Sequence, residues 1–225
     1  MIDFNNKKVL FISAHMDDIE FGCGGLIHSL KDKTTIYILA LTKDRTNAHG
    51  HVQEERVLEE QYQAAEMLGV QKEYLYISDE PISCQQFPEQ RQFILEELYK
   101  YKKLINPDMI FTPSQNDIHP DHRTVFECAI KAFARTSHFS YEIINSTKGF
   151  NPNCYLEITE EDVNKKAEAI KCYKSQYETA MTSGDYFSQK SIEALAIARG
   201  TRVGMEFAEA FEIINMVKSV DESNR

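Results

Sequence analysis

The sequence predicts a three-layer α/β domain with a largely parallel sheet. The run Lys8–Ser13 is almost continuously apolar, which is typical of a strand buried on both faces of such a sheet. Segments rich in β-forming residues then alternate with segments of helical periodicity. No repeat, low-complexity stretch or long linker divides the chain. These observations favour strands joined by helical crossovers that cover both faces of one sheet.

The elements follow from local signals taken in order. After the first strand, helices are expected at 22–31, 54–68, 88–103, 120–135, 159–177 and 188–199. Further strands are expected at 34–42, 74–77, 109–112, 139–144, 154–158 and 206–215, the later ones adding an antiparallel portion. The glycines Gly22, Gly24 and Gly25 are interpreted as a tight turn before the first helix. Residues 1–217 are predicted to form one domain, and 218–225 a flexible tail.

Composition and charge exclude several classes of protein. The 225 residues are 42% hydrophobic and 27% charged, as in an ordinary soluble domain. A net charge of −10 opposes binding to nucleic acid and to anionic membranes. The chain starts without a secretory signal, and its apolar runs are too short for membrane insertion. Five widely spaced cysteines indicate neither a disulfide framework nor Cys-x-x-Cys metal spacing, so we expect a cytoplasmic location.

A first polar cluster follows the first strand. His15, Asp17 and Asp18 stand at the predicted carboxyl end of that strand, where α/β proteins bind ligands. A histidine crowded against two carboxylates is disfavoured unless a cation or a proton relieves the repulsion. The alternative is a strand–turn–helix junction whose aspartates only cap the next helix. This segment alone leaves both interpretations open.

A second cluster, His119-Pro-Asp-His122, follows the strand predicted at 109–112. Histidines at i and i+3 on the first turn of a helix face the same way. Because both clusters follow parallel strands, they are expected at one edge of the sheet. Together they offer His15, Asp18 and one of His119 and His122. Three N/O ligands with a position left for water describe a catalytic zinc site, and the remaining carboxylate of the first cluster is then available as a base.

Both clusters resemble the motifs of a known family. His15-Met-Asp-Asp-Ile-Glu-Phe-Gly-Cys-Gly-Gly25 is similar to the His-Pro-Asp-Asp signature and Gly-rich turn of the PIG-L/LmbE-like zinc-dependent N-deacetylases, with Met16 where proline is frequent. His119-Pro-Asp-His122 matches the second motif of that family residue for residue. Weaker similarities run along nearly the whole chain. The resemblance implies a Rossmann-like fold and a hydrolase that uses metal-bound water to remove the N-acetyl group from an amino sugar or its conjugate.

The resemblance also implies roles for individual residues. One Zn²⁺ per chain would be held by His15, Asp18 and His122, although a His₂Asp site also accepts other divalent metals. Asp17 would be the general base. His119 would stabilise the oxyanion or protonate the leaving amine, with Asp121 orienting it.

Loops after the second and third predicted strands supply candidate substrate contacts. These are Lys43, Arg45, His49 and Asp79, and a solvated loop is the competing interpretation for each. The expected partner is a small-molecule N-acetyl sugar conjugate. Members of the family are often trimers or hexamers, so the resemblance also allows for a homo-oligomer.

Two alternative functions remain open on the sequence. The strand–Gly-x-Gly-Gly–helix layout is partly like a nucleotide-binding Rossmann module, but Asp17 and Asp18 would repel a pyrophosphate. A catalytically inactive sugar-binding homologue is the second alternative. It is less favoured because all the presumed ligands and the base are present.

Overall fold

Nine strands and seven helices are assigned in the computed structural model, which describes residues 2–44, 46–47, 50–180 and 186–218. The strands are β1 (Lys8–Ser13), β2 (Thr35–Ala40), β3 (Thr46–Asn47), β4 (Gly50–His51), β5 (Leu75–Ile77), β6 (Met109–Pro113), β7 (Ser137–Tyr141), β8 (Cys154–Glu157) and β9 (Ala208–Asn215). The helices are α1 (Asp18–Leu30), α2 (Glu54–Met67), α3 (Arg91–Ile105), α4 (Pro120–Ala132), α5 (Glu160–Ile170), α6 (Lys174–Ala180) and α7 (Gln189–Thr201). A one-turn 3₁₀ helix, Lys72–Tyr74, precedes β5.

The main sheet has seven strands in the order β5-β2-β1-β6-β7-β9-β8. The first five strands run parallel, whereas β9 is antiparallel to β7 and to β8. The short strands β3 and β4 pair separately as an antiparallel hairpin, which the sequence did not predict. The largely parallel sheet with an antiparallel end confirms the predicted fold class.

The strand β1 shows how the sheet separates two core layers. Val9 and Phe11 point into a cluster that includes residues of α1, α2 and α5. Leu10 and Ile12 point into the other cluster, which contains residues of α3 and α4. Because both faces of the strand are covered, every residue from Val9 to Ile12 is buried. The helices therefore form the two outer layers of a three-layer domain.

The first helix begins at Asp18, earlier than the predicted start at residue 22. The three glycines consequently lie inside α1 and do not form a turn. Gly22 is required there because a Cβ would lie 2.1 Å from Cδ2 of Tyr141. The Tyr141 hydroxyl donates to the Ile12 carbonyl at 2.9 Å, so this ring is fixed against both β1 and α1.

The helix predicted at 159–177 is divided into α5 and α6. The carboxylate of Glu60 accepts hydrogen bonds from the Ser175 N–H at 2.9 Å and from its hydroxyl at 2.5 Å, which caps the first turn of α6 from another helix. Among the described residues, no helix is both long and apolar enough to cross a bilayer. Of the tail predicted at 218–225, residues 219–225 lie outside the described part of the chain.

Candidate metal centre

Three potential ligand atoms converge where the loops after β1 and β6 meet. These strands are neighbours in the sheet, so their carboxyl ends are adjacent. Nδ1 of His15 lies 3.2 Å from Nε2 of His122, and that Nε2 lies 3.3 Å from Oδ1 of Asp18. The remaining pair, Nδ1 of His15 and Oδ2 of Asp18, is 3.6 Å apart. All three side chains are buried. The main-chain N–H of His15 donates a hydrogen bond to Oδ2 of Asp18 at 2.8 Å.

The outward nitrogen of each histidine faces another carboxylate. Nε2 of His15 lies 2.9 Å from Oδ2 of Asp121. Nδ1 of His122 lies 3.1 Å from Oδ2 of Asp117, at ion-pair distance although the ring N–H is poorly aligned for a hydrogen bond. A carboxylate at the outward nitrogen places the proton of a neutral imidazole there. Both inward nitrogens then present lone pairs to the same point.

This donor set fits a divalent metal ion. Two imidazole lone pairs and a carboxylate repel one another at these distances unless a cation lies among them. Imidazole and carboxylate ligands suit zinc and its neighbours in the first transition series. Asp121 supplies behind His15 the outer hydrogen bond that metal-binding histidines usually have, and Asp117 lies at ion-pair distance behind His122.

The electrostatics of the pocket also favour a cation. Burial alone would lower the pKa of His122, but Asp18 and Asp117 outweigh it and raise this pKa to about 9. Burial likewise opposes the charge on His15, yet Asp18 and Asp121 raise its pKa well above the usual value. Burial would raise the pKa of Asp18, but the two histidines hold it well below its usual range. The pocket therefore stabilises positive charge, which a metal ion can supply in place of protons.

Asp17 lies between the candidate ligands His15 and Asp18, at the N-cap of α1. Its backbone is left-handed, with φ 108° and ψ −28°, and its side chain is buried. A residue other than glycine at such a φ is strained, and strain of this kind concentrates at functional sites. The tight turn at Asp17 lets Asp18 enter the first turn of α1 directly behind His15.

His119 is the N-cap residue of α4 and remains partly exposed at the mouth of the cluster. Its ring stacks on His122 with a centroid distance of 4.6 Å. Nδ1 accepts a hydrogen bond from the Asp121 N–H at 3.2 Å, so the ring proton is on Nε2. Burial, together with the charges of His15 and His122, lowers the pKa of His119 to about 4. The structure therefore holds His119 as a neutral hydrogen-bond donor.

The Asp121 carboxylate does not orient His119 in the way the sequence predicted. Its Oδ2 lies 3.9 Å from Nδ1 of His119, beyond hydrogen-bond distance, and bonds to His15 instead. The main-chain N–H groups of Gln85 and Phe87 donate to the same carboxylate at 2.6 Å and 3.2 Å. Asp121 thus forms a hydrogen bond with His119 only through its backbone N–H, while its carboxylate lies at the outer limit of ion-pair distance.

Comparisons with known proteins show the family to which the chain belongs. The family model described as PIG-L, GlcNAc-PI de-N-acetylase, matches residues 10–133, more than half of the 225 residues, and includes both motifs. The chain belongs to the PIG-L family. This finding confirms the resemblance seen in the sequence and the predicted enzyme class, an N-deacetylase.

Individual relatives place this PIG-L chain among deacetylases and also show the range of its fold. Diacetylchitobiose deacetylase from Thermococcus kodakarensis is 25% identical and aligns with 94% of the chain and 85% of its own length. N,N'-diacetylchitobiose deacetylase from Pyrococcus horikoshii, solved with its inhibitor MPG, has a TM-score of 0.72 at 21% identity over 96% of this chain and 88% of its own. GalB, a 4-carboxy-2-hydroxymuconate hydratase from Pseudomonas putida, has a TM-score of 0.67 at 18% identity over 96% of this chain and 99% of its own. Since a hydratase shares the fold, the fold alone does not determine the reaction.

Asp117 is a residue of the PIG-L site that the sequence reasoning missed. Its carboxylate accepts hydrogen bonds from the His119 N–H at 2.8 Å, the Ser146 hydroxyl at 2.8 Å and the Thr147 hydroxyl at 2.9 Å, besides facing His122. It therefore ties the loop after β7 to the candidate ligand His122 on α4. An aspartate two residues before a helix N-cap is a recognisable turn signal, but the signal does not reveal the distant partners.

The structure describes two of the four predicted substrate contacts, Lys43 and Asp79. Nζ of Lys43 lies 2.6 Å from Oε1 of Glu54, and this contact, with a smaller effect of Asp79, raises the pKa of Lys43. Asp79 is exposed just after β5. Arg45 and His49 lie outside the described residues. A substrate-binding role stays a prediction for all four.

Proposed function

We propose that this protein hydrolyses the acetamide of an N-acetylated amino sugar or its conjugate, releasing acetate and a free amine. One divalent metal per chain, zinc in the proposal, would be held by His15, Asp18 and His122. The observation that carries the proposal is the pair of inward nitrogens of His15 and His122, 3.2 Å apart beside Asp18, with a carboxylate behind each ring. The substrate class is supported by family membership and by the relative named for diacetylchitobiose.

An amide is a poor electrophile with a poor leaving group, so its hydrolysis needs polarisation and proton transfer. A bound divalent metal supplies a Lewis acid that polarises the carbonyl and lowers the pKa of water toward neutrality. Asp17 is buried next to the ligand Asp18 at the end of β1. In our proposal it accepts a proton from the attacking water and returns it to the departing amine as the C–N bond breaks, which balances the reaction.

His119 would act on the oxygen of the tetrahedral intermediate. Its Nδ1 is occupied by the Asp121 N–H, so its Nε2–H is the group available for donation. A preorganised neutral donor stabilises an oxyanion without first having to bind a proton. Of the two roles predicted for His119, the structure therefore supports oxyanion stabilisation rather than protonation of the amine.

The partner is a small molecule, with Lys43, Arg45, His49 and Asp79 as candidate contacts at the rim. The acidic chain is not expected to bind nucleic acid. A single catalytic domain over residues 1–217, a cytoplasmic location and a homo-oligomeric state are further predictions.

The test is an acetate-release screen on the full chain. N-acetylglucosamine, N,N'-diacetylchitobiose and N-acetylglucosaminyl conjugates are incubated with protein that is untreated, stripped by a chelator, or stripped and reloaded with zinc or another divalent metal. Metal content is measured in parallel. We expect acetate from at least one sugar, loss of release after stripping and recovery on reloading.

The same screen separates the alternatives. Release that persists at the untreated rate in fully stripped protein would refute the metal-dependent mechanism. Zinc binding without acetate from any of these sugars would reject the proposed substrate class and favour an inactive sugar-binding homologue. Protein that binds no metal but binds a dinucleotide would favour the nucleotide-binding module.

A further inference from the structure

We propose that Asp121 is a positioning residue for the metal ligand His15 and does not serve His119. The inference rests on the proposed function, because it takes His15 as a ligand. Oδ2 of Asp121 lies 2.9 Å from Nε2 of His15 but 3.9 Å from Nδ1 of His119. Within their shared tripeptide, His119 receives only the main-chain N–H of Asp121. That N–H persists whatever side chain stands at position 121.

The loop between β5 and α3 holds the carboxylate in this orientation. The Gln85 N–H donates to Oδ2 of Asp121 and the Phe87 N–H donates to Oδ1, so both oxygens are engaged by the main chain. Turning the carboxylate toward His119 would break at least one of these bonds and leave a buried polar group unpaired, which is unfavourable. The side chain at position 121 is fully buried, so water cannot replace the lost partner.

The backbone of this loop is strained in a way that serves the contact. Gln85 has φ +66°, an uncommon value for a residue with a side chain, although its side chain is exposed and makes no demand on the backbone. The left-handed turn aims its N–H at Asp121. On either side, the Cys84 N–H is held by Oδ2 of Asp44 at 3.1 Å, and the buried Phe87 ring lies 5.9 Å from the His15 ring.

The arrangement determines which nitrogen of His15 carries the proton. A carboxylate at Nε2 keeps the proton of the neutral ring on that atom and leaves Nδ1 free to bind a metal. In Asp121→Asn, the amide NH₂ must face at least one main-chain N–H donor, because both oxygens of the native carboxylate accept from such donors. The negative charge behind His15 is lost as well. Zinc binding should therefore weaken, whereas the main-chain bond to His119 is unchanged.

The experiment measures zinc affinity by competition with a chromophoric chelator, independently of any substrate. Asp121→Asn is expected to bind zinc about 10–100-fold more weakly than wild type, the usual loss when a group behind a metal-binding histidine is removed. His119→Ala is expected to keep wild-type affinity. The matched control is Asp162→Asn, because Asp162 is another buried aspartate and its Oδ1 lies 2.6 Å from Nδ1 of His28. His28 is in the last turn of α1, at the opposite end of that helix from Asp18. Asp162→Asn should also keep wild-type affinity.

A second pair of variants leaves the carboxylate intact and covers the case in which Asp121→Asn does not fold. Gln85→Gly keeps the N–H and suits a positive φ, so its zinc affinity should match wild type. Gln85→Pro removes the N–H and cannot adopt that φ, so its affinity should fall. The exposed position of Gln85 makes both changes tolerable to the core.

Three outcomes would overturn the proposal. One is wild-type zinc affinity in Asp121→Asn. Another is an equal loss of affinity in Asp162→Asn, which would show a general effect of removing a buried charge. The third is equal affinity in Gln85→Gly and Gln85→Pro. Because only metal binding is read, a failed acetate-release screen would reject the deacetylase proposal and leave this comparison interpretable.

Discussion

Protonation of His138 should set part of the acid limit of stability in this protein. The side chain is buried on β7, with Nε2 2.7 Å from the Thr112 hydroxyl oxygen, and burial lowers its pKa to about 4. The unfolded chain therefore binds this proton more tightly than the folded chain does. The stability that comes from keeping His138 neutral is fully present above the unfolded pKa of about 6.5. This contribution is lost as the pH falls toward the folded pKa.

The size of the effect follows from the two pKa values. A difference of about 2.5 pKa units corresponds to about 3 kcal/mol once the pH is below both values. At pH 5 the unfolded form of this histidine is nearly all protonated and the folded form nearly all neutral, so about 2 kcal/mol is lost relative to pH 7. His138→Gln can still bond to Thr112 but cannot titrate, so this loss should be missing from the variant.

The assay is urea unfolding of wild type and His138→Gln at several pH values between 7 and 5. Both proteins carry every other titratable group, so the difference between their pH slopes isolates His138. The wild-type free energy of unfolding should fall by about 2 kcal/mol more than that of the variant over this range. Parallel slopes would refute the reasoning and place the acid limit among the other titratable groups of the fold.

Three further predictions concern the site and its support. Asp17→Asn should lower kcat by about 10²–10⁴-fold while zinc affinity stays at the wild-type value, and near-normal turnover would remove Asp17 as the base. Asp117→Asn should weaken zinc binding by about 10–100-fold through His122, as read by chelator competition; unchanged affinity would make Asp117 a loop anchor only. Gly22→Ala should destabilise the fold by about 1–3 kcal/mol, because its methyl group would overlap the Tyr141 ring that is bonded to Ile12. A melting temperature equal to wild type would show that the ring can move aside.

The parts of the site that the sequence predicts are those set by local order and by strand adjacency. His15 and Asp18 are three residues apart at the end of one strand, and His122 is on the first turn of the helix after a neighbouring strand. A parallel α/β sheet brings such positions together whatever the details of the loops. The first strand is predicted correctly because its unbroken apolar run is a local signal of a strand buried on both faces.

The parts that the sequence misses depend on long-range contacts. The helix predicted at 159–177 is divided, and its second part, α6, is capped by Glu60, 115 positions earlier in the chain. The role of Asp117 depends on Ser146 and Thr147, from a loop with no periodicity of its own. No local propensity encodes these pairings, because each is chosen by the packing of elements that are distant in sequence.

Asp121 shows how proximity in sequence can mislead. In His119-Pro-Asp-His122 the natural partner for the aspartate is a histidine of the same motif, yet its carboxylate bonds to His15, 106 positions away. The helical start explains the difference, because the main-chain N–H of Asp121 satisfies the N-cap histidine and frees the carboxylate for another use. One residue therefore contacts both halves of the proposed site, His119 through its backbone N–H and His15 through its side chain. Substituting Asp121 should then weaken metal binding and leave the main-chain hydrogen bond that positions His119 intact.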